Sequence, residues 1–156
     1  MADKMENIGF TEQAICRKMG NVFVMAGQDG CCPFRLAEEW CGSDVAGSIY
    51  GMECGLIAQS KMYIYHDLLN EGAIKDRGRE YAPEDEALFY WAGYILMFAS
   101  YYLKISPEDL WDTYDIESFI SSYDVMHTLP SKVQAEELAS EYNKAENIKA
   151  DIFGDP

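Results

Sequence analysis

The chain has 156 residues, enough for one compact domain with a buried core and too few for two large domains. Apolar residues make up 49% and aromatic residues 13%, which excludes a disordered acidic tail. With 12 basic and 27 acidic residues, the net charge of −15 repels phosphate backbones and anionic lipid surfaces and favours basic partners. Direct binding to nucleic acid or to a membrane is therefore not expected.

Helical periodicity dominates the amino-terminal half. Apolar residues recur at helical spacing and predict a first helix from about Thr11 to Ala26. After a glycine-rich turn, Pro33 opens a short helix that ends at Cys41. A helical phase then continues from Asp44 to about Asn70, with Gly72 as its C-cap. The following residues, up to Ala82, are predicted to form a loop.

The carboxyl-terminal half begins with the clearest helix, which Pro83 opens. Its body, Leu88 to Leu103, is uncharged over 16 residues and apolar on every face. Because a membrane-spanning helix needs roughly 20 apolar residues, a buried central helix is the better interpretation.

Three further helices are predicted after the central one. Ser106 is the expected N-cap of the first. Asp115 is the expected N-cap of the second, which continues through Phe119 and Ile120 towards His127. A capping box of Ser131 and Gln134 opens the last, which is predicted to run from Lys132 to about Ile152.

Together these elements predict an all-α fold: a compact bundle of about six to seven helices around a central apolar helix at about 83–103. We expect a single helical domain over residues 1–156, with 1–10 and 153–156 loosely ordered. The amino terminus carries charges and lacks the apolar stretch of a signal peptide, so a cytoplasmic location is expected.

The cysteines and histidines give no complete catalytic or metal-binding signature. The cysteines include no CxxC pair and are expected to be free thiols: Cys16, Cys31, Cys32, Cys41 and Cys54. His66 and His127 lie far apart in sequence, so neither a zinc site nor another cofactor is expected. Residue types alone permit a hydrolase with Cys31 or Cys32 as nucleophile and a histidine as base, but no local signature places them together.

The acidic residues are unevenly distributed. Residues 1–80 hold 12 acids and 8 bases, a net −4, whereas residues 81–156 hold 15 acids and 4 bases, a net −11. Between Lys104 and Lys132 there is no basic residue. On a helix, Glu108, Asp112 and Asp115 are expected to share one face, about one turn apart.

We interpret this distribution as a candidate surface for a basic partner. Carboxylates one turn apart lie about 5–6 Å from each other at Cβ, comparable with the spacing of charges along a nucleic-acid strand. An ordinary solvated face that keeps the protein soluble accounts for the same charges. The candidate partner-binding residues are Glu108, Asp109, Asp112, Asp115, Glu117, Asp124, Glu137 and Glu141.

Several short segments, spread over a match that begins at Glu86 and covers about half of the chain, form a recognisable pattern: Ala87 to Tyr94, Ile105-Ser106 with Leu110-Trp111, Tyr123, His127 to Leu129, and Ala135 to Leu138. This pattern resembles a family of small helical proteins of Gram-positive gut bacteria, often encoded beside ADP-ribosyltransferase-like toxin genes or on mobile elements. The resemblance implies an antitoxin-like or inhibitory role by contact with another macromolecule. It also implies that Trp91, Gly93 and Tyr94 are core positions and that Tyr123 and His127 order the turn before Pro130.

Charge and resemblance together predict a non-catalytic acidic protein that binds and inhibits a basic, nucleic-acid-handling protein or toxin. An anti-CRISPR protein and an antitoxin are two forms of this function, and nucleic-acid mimicry is the expected mechanism. The alternative is a small enzyme or ligand-binding domain that uses His66 or His127 with the aromatic residues. A structural subunit that forms a homodimer through its aromatic surface is a third interpretation.

Overall fold

Helices account for nearly all regular structure in the described part of the chain. The computed structural model describes residues 8–144, and over that range an isolated antiparallel bridge between Tyr114 and Asn143 is the only β pairing. The all-α prediction is therefore confirmed. The helices are α1 (Phe10–Gln28), α2 (Pro33–Cys41), α3 (Asp44–Tyr50), α4 (Cys54–Ile57), α5 (Lys61–Asn70), α6 (Glu86–Leu103), α7 (Pro107–Thr113), α8 (Ile116–Ser121), α9 (Tyr123–Met126) and α10 (Ser131–Glu141), with a 3-10 turn at Pro83–Asp85 before α6.

The apolar helix α6 lies at the centre of the bundle, as predicted. Nearly all of its side chains between Phe89 and Ser100 are buried. Helix α1 packs along much of its length, α10 covers another side, and α2, α3 and α7 also contact it. A helix that is apolar on every face is stable only when it is surrounded in this way. Across residues 8–144, no helix combines the length and the apolar character that crossing a membrane requires.

Glycines allow α1 and α6 to approach closely. A Cβ atom at Gly93 would collide with the carbonyl oxygen of Met19 and would lie 2.8 Å from the ring of Phe23. A Cβ atom at Gly20 or at Gly27 of α1 would likewise lie only 2.7 Å from an aromatic ring of α6, that of Tyr90 or Phe89. The α1–α6 contact therefore depends on the absence of side chains at these positions.

The predicted helical phase from Asp44 to Asn70 is interrupted twice. Helix α3 ends at Tyr50, and Met52 then adopts a left-handed conformation with φ of 61°. Helix α5 starts afresh because the Ser60 hydroxyl accepts a hydrogen bond from the backbone N–H of Tyr63 at 3.2 Å. The prediction of one continuous element was wrong, and the bundle has more segments than the six to seven expected. Glu71 is the C-cap of α5, and Gly72, the predicted C-cap, is the next residue, with φ of 80° in the left-handed region that favours glycine.

A tertiary contact stabilises the second interruption. The ammonium group of Lys18 in α1 donates to the carbonyl oxygens of Ile57 at 2.8 Å and Gln59 at 2.7 Å. These carbonyls lie where a continuous helix would have used them for its own hydrogen bonds. Lys18 therefore satisfies backbone groups that the interruption leaves without helical partners.

The predicted capping box at the start of α10 was wrong. Pro130 occupies the N-cap position, and the side chain of Gln134 is buried. Its Oε1 atom accepts a hydrogen bond from Nε1 of Trp91 at 2.7 Å, and its Nε2 atom donates to the carbonyl of Leu129 at 2.8 Å. Gln134 thus satisfies the indole N–H of a core tryptophan and ties α10 to α6.

The last described helix ends earlier than predicted, and the described part of the amino terminus joins the core. Helix α10 ends at Glu141, well before the predicted end at Ile152, because Tyr142 leaves the helical conformation. Ile8 is buried and Phe10 already belongs to α1, within the range predicted to be loosely ordered. Residues 1–7 and 145–156, which include the predicted loose segment 153–156, lie outside the described residues.

Replacing Gly93 by alanine should lower the free energy of unfolding by about 1–3 kcal/mol, because α1 and α6 would have to separate. Gly47 provides a matched control, since it lies in α3 and a Cβ atom there would meet nothing within 4 Å. Gly47→Ala should instead raise the stability by up to about 1 kcal/mol, as alanine restricts the unfolded chain. Urea unfolding curves of both variants measure the difference, and equal effects would contradict the proposed close contact.

Candidate functional site

The acidic segment begins at the predicted N-cap of α7. The Ser106 hydroxyl accepts a hydrogen bond from the backbone N–H of Asp109 at 3.2 Å, and Pro107 occupies the first helical position. Glu108 and Asp109 lie in the first turn, where negative charge is favourable. Leu110 is fully buried on the opposite side. Local capping and one buried leucine therefore fix the orientation of this short helix.

Most of the candidate partner-binding residues point into solvent. Asp115 and Glu137 are partly buried. The ion pairs formed within residues 8–144 are Arg35–Glu38, Arg77–Asp29 and Arg79–Asp76, none of which involves a candidate residue. The exposed candidates are Glu108, Asp109, Asp112, Glu117, Asp124 and Glu141.

Asp115 does not belong to the row of carboxylates predicted along α7. The helix ends at Thr113, and Tyr114 is extended with φ of −118° and ψ of 151°. Asp115 is instead the N-cap of α8, as also predicted: Oδ1 accepts from the backbone N–H of Ser118 at 3.1 Å and Oδ2 from its hydroxyl at 2.7 Å. The row therefore consists of Glu108 and Asp112, and the carboxylate of Asp115 has a local structural role.

The helix predicted to continue from Asp115 towards His127 is divided into α8 and α9. Helix α8 ends at Ser121, and the separate turn of α9 begins at Tyr123. Glu117 and Asp124 consequently lie on different short helices. The acidic segment is a series of three short helices, and a single continuous row of charges does not form.

The tertiary structure brings the end of α10 to the junction of α7 and α8. The backbone N–H of Asp115 donates to the carbonyl of Tyr142 at 2.7 Å, and Tyr114 pairs with Asn143 in the isolated bridge. Glu141, next to Tyr142 in the chain, is thereby placed close to Asp115. We call Asp112, Asp115 and Glu141 the acidic corner.

Lys144 contacts the same junction and was missed by the sequence prediction. Its Nζ atom donates to the carbonyl oxygen of Trp111 at 2.6 Å and lies 5.4 Å from the centroid of the Trp111 ring. The ammonium group of Lys144 therefore lies against α7, in the part of the chain between Lys104 and Lys132 that contains no basic residue. The two residues are 33 positions apart, so local sequence patterns carry no signal for this contact.

The cysteines are free thiols, as predicted, and three of them are buried: Cys16, Cys31 and Cys41. Burial, together with the nearby charges of Glu39 and Asp29, raises the pKa of the Cys31 thiol to about 12. Cys31 is therefore protonated at neutral pH and is a poor nucleophile. Cys32 is partly exposed and Cys54 is exposed.

The two histidines lie at exposed positions on different elements. His66 is exposed on α5 and His127 is exposed after α9. The ring of His127 stacks on Tyr123 with centroids 4.2 Å apart, and its Nδ1 atom lies 2.6 Å from the carbonyl oxygen of Tyr123. Three surface clefts formed by residues between Gly27 and Phe89 include neither histidine. One of these clefts, about 200 Å³ in volume, includes Cys31 and Cys32 without a histidine.

The aromatic residues proposed as an alternative ligand site mostly belong to the core. Trp40 and Trp91 are buried, Gly93 lies between α1 and α6, and Tyr94 is half-buried. Trp111 is half-buried beside the acidic corner. In the part of the chain that the structure describes, no group of three or more potential ligands is arranged to hold a metal ion.

No family model, curated protein or solved structure matches this chain.

Thiol labelling at pH 8 should distinguish the five cysteines. Cys54 should react fastest because it is exposed, and Cys32 should react more slowly. Cys16, Cys31 and Cys41 should react only after unfolding, because burial keeps each thiol protonated by raising its pKa. Ellman's reagent measures the rates, and Cys54→Ser should remove the fast phase. Rapid labelling of Cys31 or Cys41 in the folded protein would contradict this assignment.

Proposed function

We propose that this chain is a non-catalytic acidic protein that binds and inhibits a basic, nucleic-acid-handling protein, as an anti-CRISPR protein or an antitoxin does. The observation that carries the proposal is the group of exposed carboxylates on α7, α8 and α9, in a segment without a basic residue. These carboxylates take part in none of the ion pairs formed among residues 8–144. Their charge is therefore available to a partner.

The spacing of the carboxylates supports nucleic-acid mimicry. Glu108 and Asp112 lie one turn apart on α7, and Glu137 and Glu141 lie one turn apart on α10. Such pairs are about 5–6 Å apart at Cβ, similar to the spacing of charges along a nucleic-acid strand. A protein groove that binds phosphates presents lysines and arginines at comparable intervals. The acidic surface can occupy such a groove and exclude nucleic acid.

The short helices explain why the chain can hold these charges together. Like charges one turn apart destabilise an isolated helix by a few tenths of a kcal/mol. Capping by Ser106 and Asp115 and burial of Leu110 and Phe119 offset this cost. Solubility alone requires net charge and no particular arrangement. A docking surface, in contrast, predicts a local and salt-sensitive effect on association.

The resemblance to helical proteins encoded beside toxin genes supports the same function. The segment from Ala87 to Tyr94 contributes to the core, and the segment from Ile105 to Trp111 leads into the acidic surface. A chain of this kind would meet a nuclease or a toxin in the cytoplasm, where we place it. It would act by contact, without a cofactor.

Charge reversal at Glu108 and Asp112 tests the surface without removing the Asp115 cap. The double variant Glu108→Lys and Asp112→Lys should weaken partner binding at least about tenfold at low salt and reduce its salt dependence, because it removes two contacts to cations and adds repulsion. The control Glu53→Lys and Glu80→Lys makes the same change in net charge at exposed acids elsewhere. It should weaken binding much less.

The partner is first obtained by affinity capture on the immobilised chain from host extract, with elution by rising salt and identification by mass spectrometry. The proposal expects a basic nucleic-acid-handling protein whose activity on nucleic acid falls when the purified chain is added. Binding that is equally strong for both double variants would exclude the surface. A captured partner whose activity the chain leaves unchanged would exclude inhibition.

A further inference from the structure

The carbonyl oxygen and the ring of Trp111, which contact Lys144, form a site that can bind an ammonium group. The carbonyl of Trp111 is among the last four of α7, which have no partner within the helix. The donor that would follow one turn later, the backbone N–H of Asp115, bonds to Tyr142 instead. The carbonyl of Trp111 is therefore left for an outside donor, and the Nζ atom of Lys144 supplies it at 2.6 Å.

The indole ring of Trp111 is the second group that contacts the ammonium group. Its centroid lies 5.4 Å from the Lys144 ammonium group, within the range of a cation–π contact. Trp40 and Trp91 are buried in the core, whereas Trp111 is half-buried and accessible at the surface. Tryptophans in such positions often dominate the energy of protein interfaces. The adjacent Asp112 and Asp115 add negative charge to the surroundings.

We propose that the Trp111 carbonyl and ring form a binding site for a lysine side chain of the partner, and that Lys144 occupies this site as an intramolecular substitute until the partner displaces it. This inference rests on the proposed function and names the chemistry of the contact at the acidic corner. The observed ammonium group is independent of the acidic cluster itself, because its direct contacts are a carbonyl oxygen and an aromatic face.

When a lysine of the partner replaces Lys144, the carbonyl oxygen of Trp111 accepts a hydrogen bond both before and after binding. One ammonium group replaces another at the Trp111 carbonyl, so no orphan acceptor remains. An exposed cation–π contact is weak, which allows a partner with several lysines to compete with the single Lys144. Release of Lys144 also leaves the local negative charge of Asp112, Asp115 and Glu141 for the partner. Lys144 therefore lowers the affinity for isolated cations and favours a partner that makes several contacts.

Replacing Lys144 by methionine tests the competition, because methionine keeps an apolar stem and removes the ammonium group. The probe is an octalysine peptide, with binding measured by calorimetry and by tryptophan fluorescence at low salt. Lys144→Met should bind the peptide about tenfold more tightly than the natural chain, as expected for removal of a competing cation. The matched control Lys104→Met removes one charge at an exposed position just before the acidic segment. It should change binding by less than about threefold, through general electrostatics.

A second substitution shows whether the gain depends on Trp111. In the Lys144→Met background, Trp111→Leu should abolish the gain, and Trp111→Phe should retain part of it because phenylalanine keeps an aromatic face. A cooperative thermal unfolding transition shows that each variant is folded. If the Trp111→Leu variant does not fold, the Trp111→Phe variant provides the test instead. Equal gains for Lys144→Met and Lys104→Met, or a gain that persists without an aromatic ring, would overturn the inference.

Weaker binding by Lys144→Met would also overturn the inference, because it would identify Lys144 as a fixed structural contact of the acidic corner. These outcomes are separate from a failure of the proposed function. That function fails when reversal of Glu108 and Asp112 leaves the partner bound, whereas the present inference can fail while partner binding still depends on those acids.

Discussion

The close packing of α1 against α6 at Gly93 is the constraint on which the rest of the structure depends. Because no side chain separates the helices, the backbone of α1 at Met19 lies directly against α6. The remaining faces of α6 are apolar and must be covered by other helices. The chain leaves α6 through Lys104, which adopts a left-handed conformation with φ of 57°, and passes directly into α7. The position of the acidic segment thus follows from the core.

A buried polar contact connects this core to the candidate surface. Trp91 of α6 donates to Gln134, and Gln134 donates to the carbonyl of Leu129, so α10 is fixed at its beginning. The other end of α10 then reaches the α7–α8 junction through the Asp115–Tyr142 backbone bond. Residues that are distant in sequence consequently share one surface. The same arrangement places Lys144 on Trp111, where a cation moderates a strongly negative region.

The eight candidate acids illustrate how far sequence patterns define a site. Six of them are exposed, and most lie on the short helices α7, α8 and α9, which follow from capping residues and apolar spacing that act within a few positions. The predicted alignment of Asp115 with Glu108 and Asp112 was wrong, because α7 ends before Asp115 and the carboxylate caps α8. Helical periodicity predicts which side chains share a face only for residues of the same continuous helix. The proximity of Glu141 to Asp115 required a pairing across the fold.

The sequence by itself determined the all-α class, the central place of α6 and the beginnings of α2 and α7, since proline positions, N-caps and apolar periodicity are local properties. Tertiary contacts decided the rest. Lys18 donates to backbone carbonyls at the interruption before α5. Trp91 donates to the side chain of Gln134, which therefore does not form the predicted capping box, and Lys144 donates to the carbonyl of Trp111. Each of these contacts joins residues more than 30 positions apart, where no local periodicity links the partners and only packing of the core brings them together.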